Sequence, residues 1–351
     1  MVKTLPNYLS WALIVLALGW GACETEEETL DRSAELIGTW YLKYFQVDNQ
    51  RFYQPLKAII NADGSGIRYQ YDFEDDQVVT EYFNWEFQND SLLIYSGGEL
   101  LFRSLWQREN NVGRHTYVDE GKLRTDVYVL GTDTIDARFI GKWVLINQTL
   151  DGTVVPALRT IYFAAQGQAE AYHFEPYEDQ DILHDNLLWQ VSPGHLIVVA
   201  KDEYGQPDIE SQMVFESMMT STSVVNLKIY DEQGKLCQFV FMSDPGTWAP
   251  DLVGSYNLTA IKINGNSSPV SIAVQLNLAN DGTGSLLQGS NSVSHTWSVN
   301  GNYLFMYLAT RPHLTYPFQY TLSGNNLTLT WSEYFNGAVY TYEYTYTRTG
   351  Q

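Results

Sequence analysis

Cysteine is nearly absent from this chain, with two among 351 residues, Cys23 and Cys237. Cys23 sits where a signal peptide would end, so no intramolecular disulfide is expected. Cys237, in the strand-like run Lys235-Leu236-Cys237-Gln238-Phe239, reads as a small buried hydrophobe. Basic residues are also scarce: 20 Lys and Arg stand against 41 Asp and Glu, a net charge of −21. That field repels nucleic acid, which is excluded as a partner, and anionic lipid surfaces. No long window outside the N-terminus keeps a helical period. The six histidines never fall at His-x-x-x-His or His-Glu-x-x-His spacing, and neither a Gly-x-Ser-x-Gly elbow nor a phosphate-cradling glycine loop occurs. His173 and His184 bracket Glu175, Glu178, Asp179 and Asp181, but without the glycine and spacing of a calcium loop. No metal, no cofactor and no catalytic residues are therefore expected, and the chain does not read as an enzyme.

What is present is a repeat. A glycine stands two residues before a large aromatic in Leu36-Ile37-Gly38-Thr39-Trp40-Tyr41-Leu42, Phe139-Ile140-Gly141-Lys142-Trp143-Val144-Leu145 and Leu252-Val253-Gly254-Ser255-Tyr256-Asn257-Leu258. The glycines lie 103 and 113 residues apart (141 − 38 and 254 − 141). That is a domain length, not a solenoid period. Further landmarks recur in order. A turn follows each copy: Asp63-Gly64-Ser65-Gly66, Gln166-Gly167-Gln168 and Asp281-Gly282-Thr283-Gly284. A tryptophan comes next (Trp85, Trp189, Trp297), then an apolar run starting at Leu92, Leu196 or Tyr303. Turn-flanked β-branched and aromatic runs between these landmarks predict strands, and many short strands with glycine-rich turns predict barrels or sandwiches. The last run alternates, with Tyr340, Tyr342, Tyr344 and Tyr346 on one face. The fold class predicted is all-β: three tandem antiparallel barrels or sandwiches over residues 35–133, 134–246 and 247–351. Acidity is uneven; residues 251–351 carry 4 acids against 3 bases.

The N-terminus carries an address. Lys3 precedes an apolar stretch, Leu9 to Leu18, too short to span a bilayer comfortably. Gly21-Ala22-Cys23 then resembles a bacterial lipoprotein signal, with Trp20 where the family prefers leucine. The resemblance implies a signal peptide over 1–22 and a diacylglyceryl Cys23 as membrane anchor. Glu24-Thr25-Glu26-Glu27-Glu28 opens an acidic tether over 23–34 and resembles a surface-export signal. The localisation expected is the cell outer membrane, lipid-anchored.

The Gly-x-aromatic motif and the turn together resemble the lipocalin-like (calycin-like) β-barrel domains of Bacteroidota lipoproteins. Asp63-Gly64-Ser65-Gly66 and Asp281-Gly282-Thr283-Gly284 fit the second motif of that family. The resemblance implies that Gly38 with Trp40, Gly141 with Trp143, and Gly254 with Tyr256 form structural plugs at one end of each barrel. It also implies an arginine over the plug, for which Arg124 and Arg348 are placed in repeats one and three, and only Lys228 in repeat two.

Three functions stay open: a membrane-anchored, non-enzymatic binding or assembly lipoprotein; a surface glycan binder using exposed aromatic platforms; and a carrier of a small hydrophobic ligand. Trp248 and Tyr316, both in Pro-rich segments, are candidate ligand or partner contacts. A ring-lined cavity above about 300 Å3 would favour the carrier.

Overall fold

The glycine that opens each repeat takes a backbone conformation that side-chain-bearing residues rarely adopt, with φ of +140° at Gly38, +122° at Gly141 and +155° at Gly254. Space is a second reason at Gly38, where a Cβ would lie 2.7 Å from Leu130 Cδ1, and more weakly at Gly254, where it would lie 3.3 Å from Arg348 Nε. From each glycine a strand runs on that pairs on both sides, and this closes a barrel. The computed structural model describes residues 32–119, 121–174, 182–311, 313–335 and 337–349.

In the first barrel, β1 (Gly38–Val47), β2 (Gln50–Phe52), β3 (Leu56–Ile60), β4 (Ser65–Asp72), β5 (Gln77–Gln88), β6 (Ser91–Ser96), β7 (Glu99–Glu109), β8 (Val112–Asp119) and β9 (Lys122–Leu130) follow one another up and down. β1 also pairs with β9, so eight strands close on themselves and β2 extends a hairpin from β1. Barrel 2, from β10 (Gly141–Leu150) to β18 (Leu236–Ser243), and barrel 3, from β19 (Gly254–Ile263) to β27 (Ala338–Arg348), repeat that order and closure. The fold is therefore three closed, eight-stranded antiparallel barrels in tandem.

The opening strand of each barrel is bulged at the same place, between Leu42 and Tyr44, Leu145 and Asn147, and Leu258 and Ala260. A bulge bends the strand and flips its inward parity. In barrel 1 Trp40 and Leu42 face the core before the bulge and Phe45 packs on it after.

The aromatic two residues past each of these glycines makes the same bond. The indole N–H groups of Trp40 and Trp143 donate to the carbonyls of Leu36 and Phe139 at 2.7 Å, and the Tyr256 hydroxyl donates to Leu252 O at 2.9 Å. Tyrosine in the third copy thus keeps the contact made by the other two. Further on, the indole N–H groups of Trp85, Trp189 and Trp297 are each shared between two carbonyls of the glycine turn, at 3.0–3.2 Å. Opening motif, turn and second tryptophan are one connected device at one end of the barrel.

Arg348 lies over the Tyr256 ring, 5.0 Å from its centroid, and its Nε donates to the Tyr256 hydroxyl at 3.1 Å. We expect Tyr256→Phe to strand both partners of this hydroxyl and to cost about 1–3 kcal/mol; a melt of barrel 3 unchanged in temperature would contradict that. In barrel 1 the cation over Trp40 is Arg108, at 5.5 Å, and not Arg124, which lies over Phe45 at 4.3 Å. The reason is register: Leu130 stands opposite Trp40, as Arg348 stands opposite Tyr256, whereas Arg124 lies six residues earlier on the closing strand. Lys228 does not take the role in barrel 2, because its neighbour Leu227 is the core residue and strand alternation turns Lys228 outward.

The barrels share buried contacts. Tyr41 and Val129 meet Ile197 and Val214 between the first two, and Val144 and Met242 meet Phe305 between the last two. Asn111 donates to Ser192, Ser192 to Leu130 O, and Gln212 to Leu56 O. At the second junction Ser298 donates to Asp244, and Lys142 Nζ lies 3.3 Å from Asp244 and 3.0 Å from the Tyr307 ring centroid.

Candidate ligand-binding site

Polar residues in a barrel core need explaining, because an inward-facing strand position ordinarily carries an apolar side chain. Barrel 1 has a rung of them. Trp106 on β7 stands opposite His115 on β8, His115 opposite Asp126 on β9, and Asp126 opposite Phe45 on β1. Trp106, His115 and Asp126 are all buried. Asp126 accepts from Arg124 Nε at 2.7 Å and from the Tyr117 hydroxyl at 3.2 Å. Burial pushes its carboxyl up, and Arg124 and Tyr117 pull it back.

Trp106, His115, Tyr117 and Asp126 line a cavity of about 540 Å3 inside barrel 1. Ile60, Phe83, Ile94 and Phe102 supply apolar wall, and Arg68, paired with Glu81 at 2.5 Å, supplies a cation from the facing strands. Tyr82 and Leu101 line the same space yet are 72% and 58% exposed, which places them at its opening. Leu101 is the extra residue of a β6–β7 bulge, between Leu100 and Phe102. The bulge turns it toward the lumen.

The other two barrels carry different side chains at the same register positions. Where barrel 1 has Arg68, Trp106, His115, Arg124 and Asp126, barrel 2 has Ala171, Ser217, Leu227, Cys237 and Phe239. Barrel 3 has Leu286, Tyr320, Leu329, Tyr342 and Tyr344. Leu227 and Phe239 belong to the packed core of barrel 2, and Tyr320, Leu329 and Tyr344 to that of barrel 3. At the Arg68, His115 and Asp126 positions, aromatic and aliphatic side chains thus stand where barrel 1 is polar.

Comparison with known proteins adds little beyond fold. No family model matches the chain, and no curated protein does. Among solved structures it resembles a lipocalin-like protein from Bacteroides uniformis, at 16% identity and a TM-score of 0.24, over 30% of this chain and 99% of that one. It also resembles transferrin binding protein B from Neisseria meningitidis, at 9% identity and TM-score 0.21, over 84% of this chain and 66% of that one. The same protein from Haemophilus parasuis matches at 8% identity and TM-score 0.20, over 89% and 76%. Overlays at this level say nothing of a ligand or partner for this chain.

The residues singled out from the sequence fall elsewhere. Trp40 borders the cavity, but Trp143 and Tyr256 are buried in the cores of their own barrels. Trp248 is partly exposed at the entry to barrel 3, its ring laid over the Gly282 turn. Tyr316 is half-buried between barrels 2 and 3; its hydroxyl accepts from Arg311 at 2.9 Å and its ring packs on Trp331. Neither reaches the cavity. Cys237 is a half-buried free thiol that burial pushes up. Cys23, the signal peptide, the acidic cluster after it and the Glu175–Asp181 loop lie outside the described residues. Among the described residues no group of His, Cys, Asp or Glu is arranged to hold a metal.

Sequence reading missed Arg68, His115 and Asp126. Their signal lies across the repeats: at the register positions of Arg68, His115 and Asp126 the other two copies carry Ala171, Leu227 and Phe239, and Leu286, Leu329 and Tyr344.

Proposed function

We propose that this chain is a lipid-anchored, non-enzymatic binding protein of the bacterial outer membrane, and that barrel 1 is its ligand-binding unit. The ligand is a small, mostly apolar molecule held inside the barrel. Barrels 2 and 3 are solid supports whose outer surfaces remain for a partner. One observation carries this reading: a cavity of about 540 Å3 in barrel 1, lined by Arg68, His115 and Asp126 where the other two barrels carry apolar and aromatic side chains. The volume suits a drug-sized molecule. Against the glycan reading, Tyr316 is half-buried between barrels 2 and 3, and Trp248, though 43% exposed, has its ring over the Gly282 turn. Trp40, Trp143 and Tyr256 serve here as structural plugs. The anchor is Cys23, read from the sequence.

A hydrocarbon dye such as diphenylhexatriene should bind the full chain at one molecule per chain. Ala58→Phe, which adds a ring to the cavity wall, should weaken it at least tenfold. Affinity untouched by that substitution would put the dye elsewhere and sink the reading. For the anchor, Cys23→Ser is expected to release the protein from membranes, and unchanged retention would refute it.

A further inference from the structure

We propose that the ligand of barrel 1 is an uncharged molecule that presents a hydrogen-bond-accepting oxygen, a ketone, ester or amide carbonyl on an apolar body, to Trp106, His115 and Arg68. The proposal rests on barrel 1 being the ligand-binding unit and adds the chemistry of what it takes.

The first argument is the set of unmatched donors. Trp106 Nε1, His115 Nε2 and Arg68 Nε are buried, and none has a hydrogen-bond partner within the protein. All three residues line the one cavity. An indole N–H and a guanidinium N–H can only donate, and a neutral imidazole can place its proton on Nε2. Buried donors are nearly always satisfied. Three that converge on one space ask for an acceptor there. Trp106 and His115 are register partners on adjacent strands. Arg68 comes from the far side of the barrel and lines the same lumen.

The second argument is charge balance. Arg68 is paired with Glu81, and Arg124 with Asp126. His115 is neutral at ordinary pH, since burial beside Arg124 and Arg68 pulls it down to about 3. The lumen therefore offers donors but no uncompensated charge. A ligand carboxylate would enter as an unpaired ion and lose its hydration without gaining a counter-charge. A carbonyl meets the donors at no such cost. The rest of the ligand faces Ile60, Phe83, Ile94 and Phe102, and is apolar.

The third argument is specificity to this barrel. At the His115 position the other barrels carry Leu227 and Leu329, and at the Arg68 position Ala171 and Leu286. The donors are thus not required to build such a barrel.

Three probes that differ at one group test this on the full chain: 2-acetylnaphthalene, its hydrocarbon isostere 2-isopropenylnaphthalene, and 2-naphthoate, titrated by tryptophan fluorescence and calorimetry. The ketone is expected to bind at least tenfold tighter than the hydrocarbon, and the naphthoate most weakly. In His115→Leu, which installs the residue found in barrels 2 and 3, and in Trp106→Phe, the ketone's advantage should fall below about threefold while the hydrocarbon still binds. Equal binding of ketone and hydrocarbon to the native protein overturns the proposal but leaves barrel 1 as a binding site. Tightest binding of the naphthoate overturns the uncharged assignment. An advantage that survives both variants overturns the assigned donors. Binding of none of the three removes the ligand-binding reading of barrel 1 itself. The comparison among probes on the native protein needs no variant to fold.

Discussion

Lowering the pH from 6.5 to 4.5 is expected to cost each of the three barrels about 2–3 kcal/mol of stability. Each holds one buried histidine whose imidazole is pulled below its ordinary value: His115 to about 3, His195 to about 4 and His295 to about 4. Burial is the first cause in each. Arg124 and Arg68 add to it at His115. At His195 Lys43 adds to it, while the Pro193 carbonyl and Glu216 oppose it; at His295 burial acts alone. In the unfolded chain a histidine takes its proton near pH 6.5. Between that value and the folded one, the unfolded state binds a proton that the folded state refuses. The stabilising difference is therefore complete above pH 6.5 and is lost as pH falls toward 4. Each group contributes about 1.4 kcal/mol per pH unit in that window. Each barrel holds one such group, so over these two pH units it loses about 2–3 kcal/mol, against a typical domain stability of about 5–15 kcal/mol. Asp126 in barrel 1 and Asp244 at the junction of barrels 2 and 3, both pushed up by burial, work in the opposite sense and lessen the loss there. Urea midpoints at pH 7, 6, 5 and 4.5, with hydrogen exchange to read the barrels separately, measure the effect. His295→Leu should flatten the pH dependence of barrel 3 alone. Midpoints that hold steady from pH 7 to 4.5 would refute the account.

The sequence made the ends of these barrels legible and left their middles obscure. Gly38, Gly141 and Gly254 were visible because a positive φ admits few other residues, and Trp85, Trp189 and Trp297 because one indole must reach two turn carbonyls. Such local demands leave a fixed spacing. Which cation covers the plug has no local signature. Arg108 reaches Trp40 from β7, and Arg124 falls instead beside Asp126, because closure register depends on strand tilt and stagger and not on distance from the chain end. The cavity lay between these cases. Arg68, His115 and Asp126 break the apolar parity of their strands, but the break shows only when the three copies are set side by side by register. Tyr256 teaches the converse. It looks like a departure from the Gly-x-Trp pattern, yet its hydroxyl makes the bond that the two indoles make. The near-neutral charge of the third unit therefore does not accompany a lost contact at this position.

Trp143→Ala is the substitution expected to cost most. Its indole is 2% exposed and its N–H donates to Phe139 O at 2.7 Å. Around it pack Phe139, Leu145 and Phe241 of the barrel 2 core. Truncation loses the transfer energy of the ring, leaves a cavity, and strands a buried carbonyl. The first two cost about 3–5 kcal/mol, and the unmet acceptor adds about 1–3 kcal/mol. Among the described residues no arginine is laid over Trp143 to brace the gap, as Arg108 is over Trp40 and Arg348 over Tyr256. The position of barrel 2 magnifies the loss. Val144, the next residue, meets Met242 and Phe305 at the junction with barrel 3, while Ile197 and Val214 carry the junction with barrel 1. Unfolding of barrel 2 therefore uncovers one face of each neighbour. For a domain of about 100 residues, 1 kcal/mol moves the melting temperature by about 4–8 °C, so calorimetry should show the barrel 2 transition lowered by about 15 °C or more. Trp143→Phe keeps a ring in the space and should recover most of the packing but not the hydrogen bond. A shift below about 3 °C for the alanine variant would mean that barrel 2 does not depend on its plug aromatic.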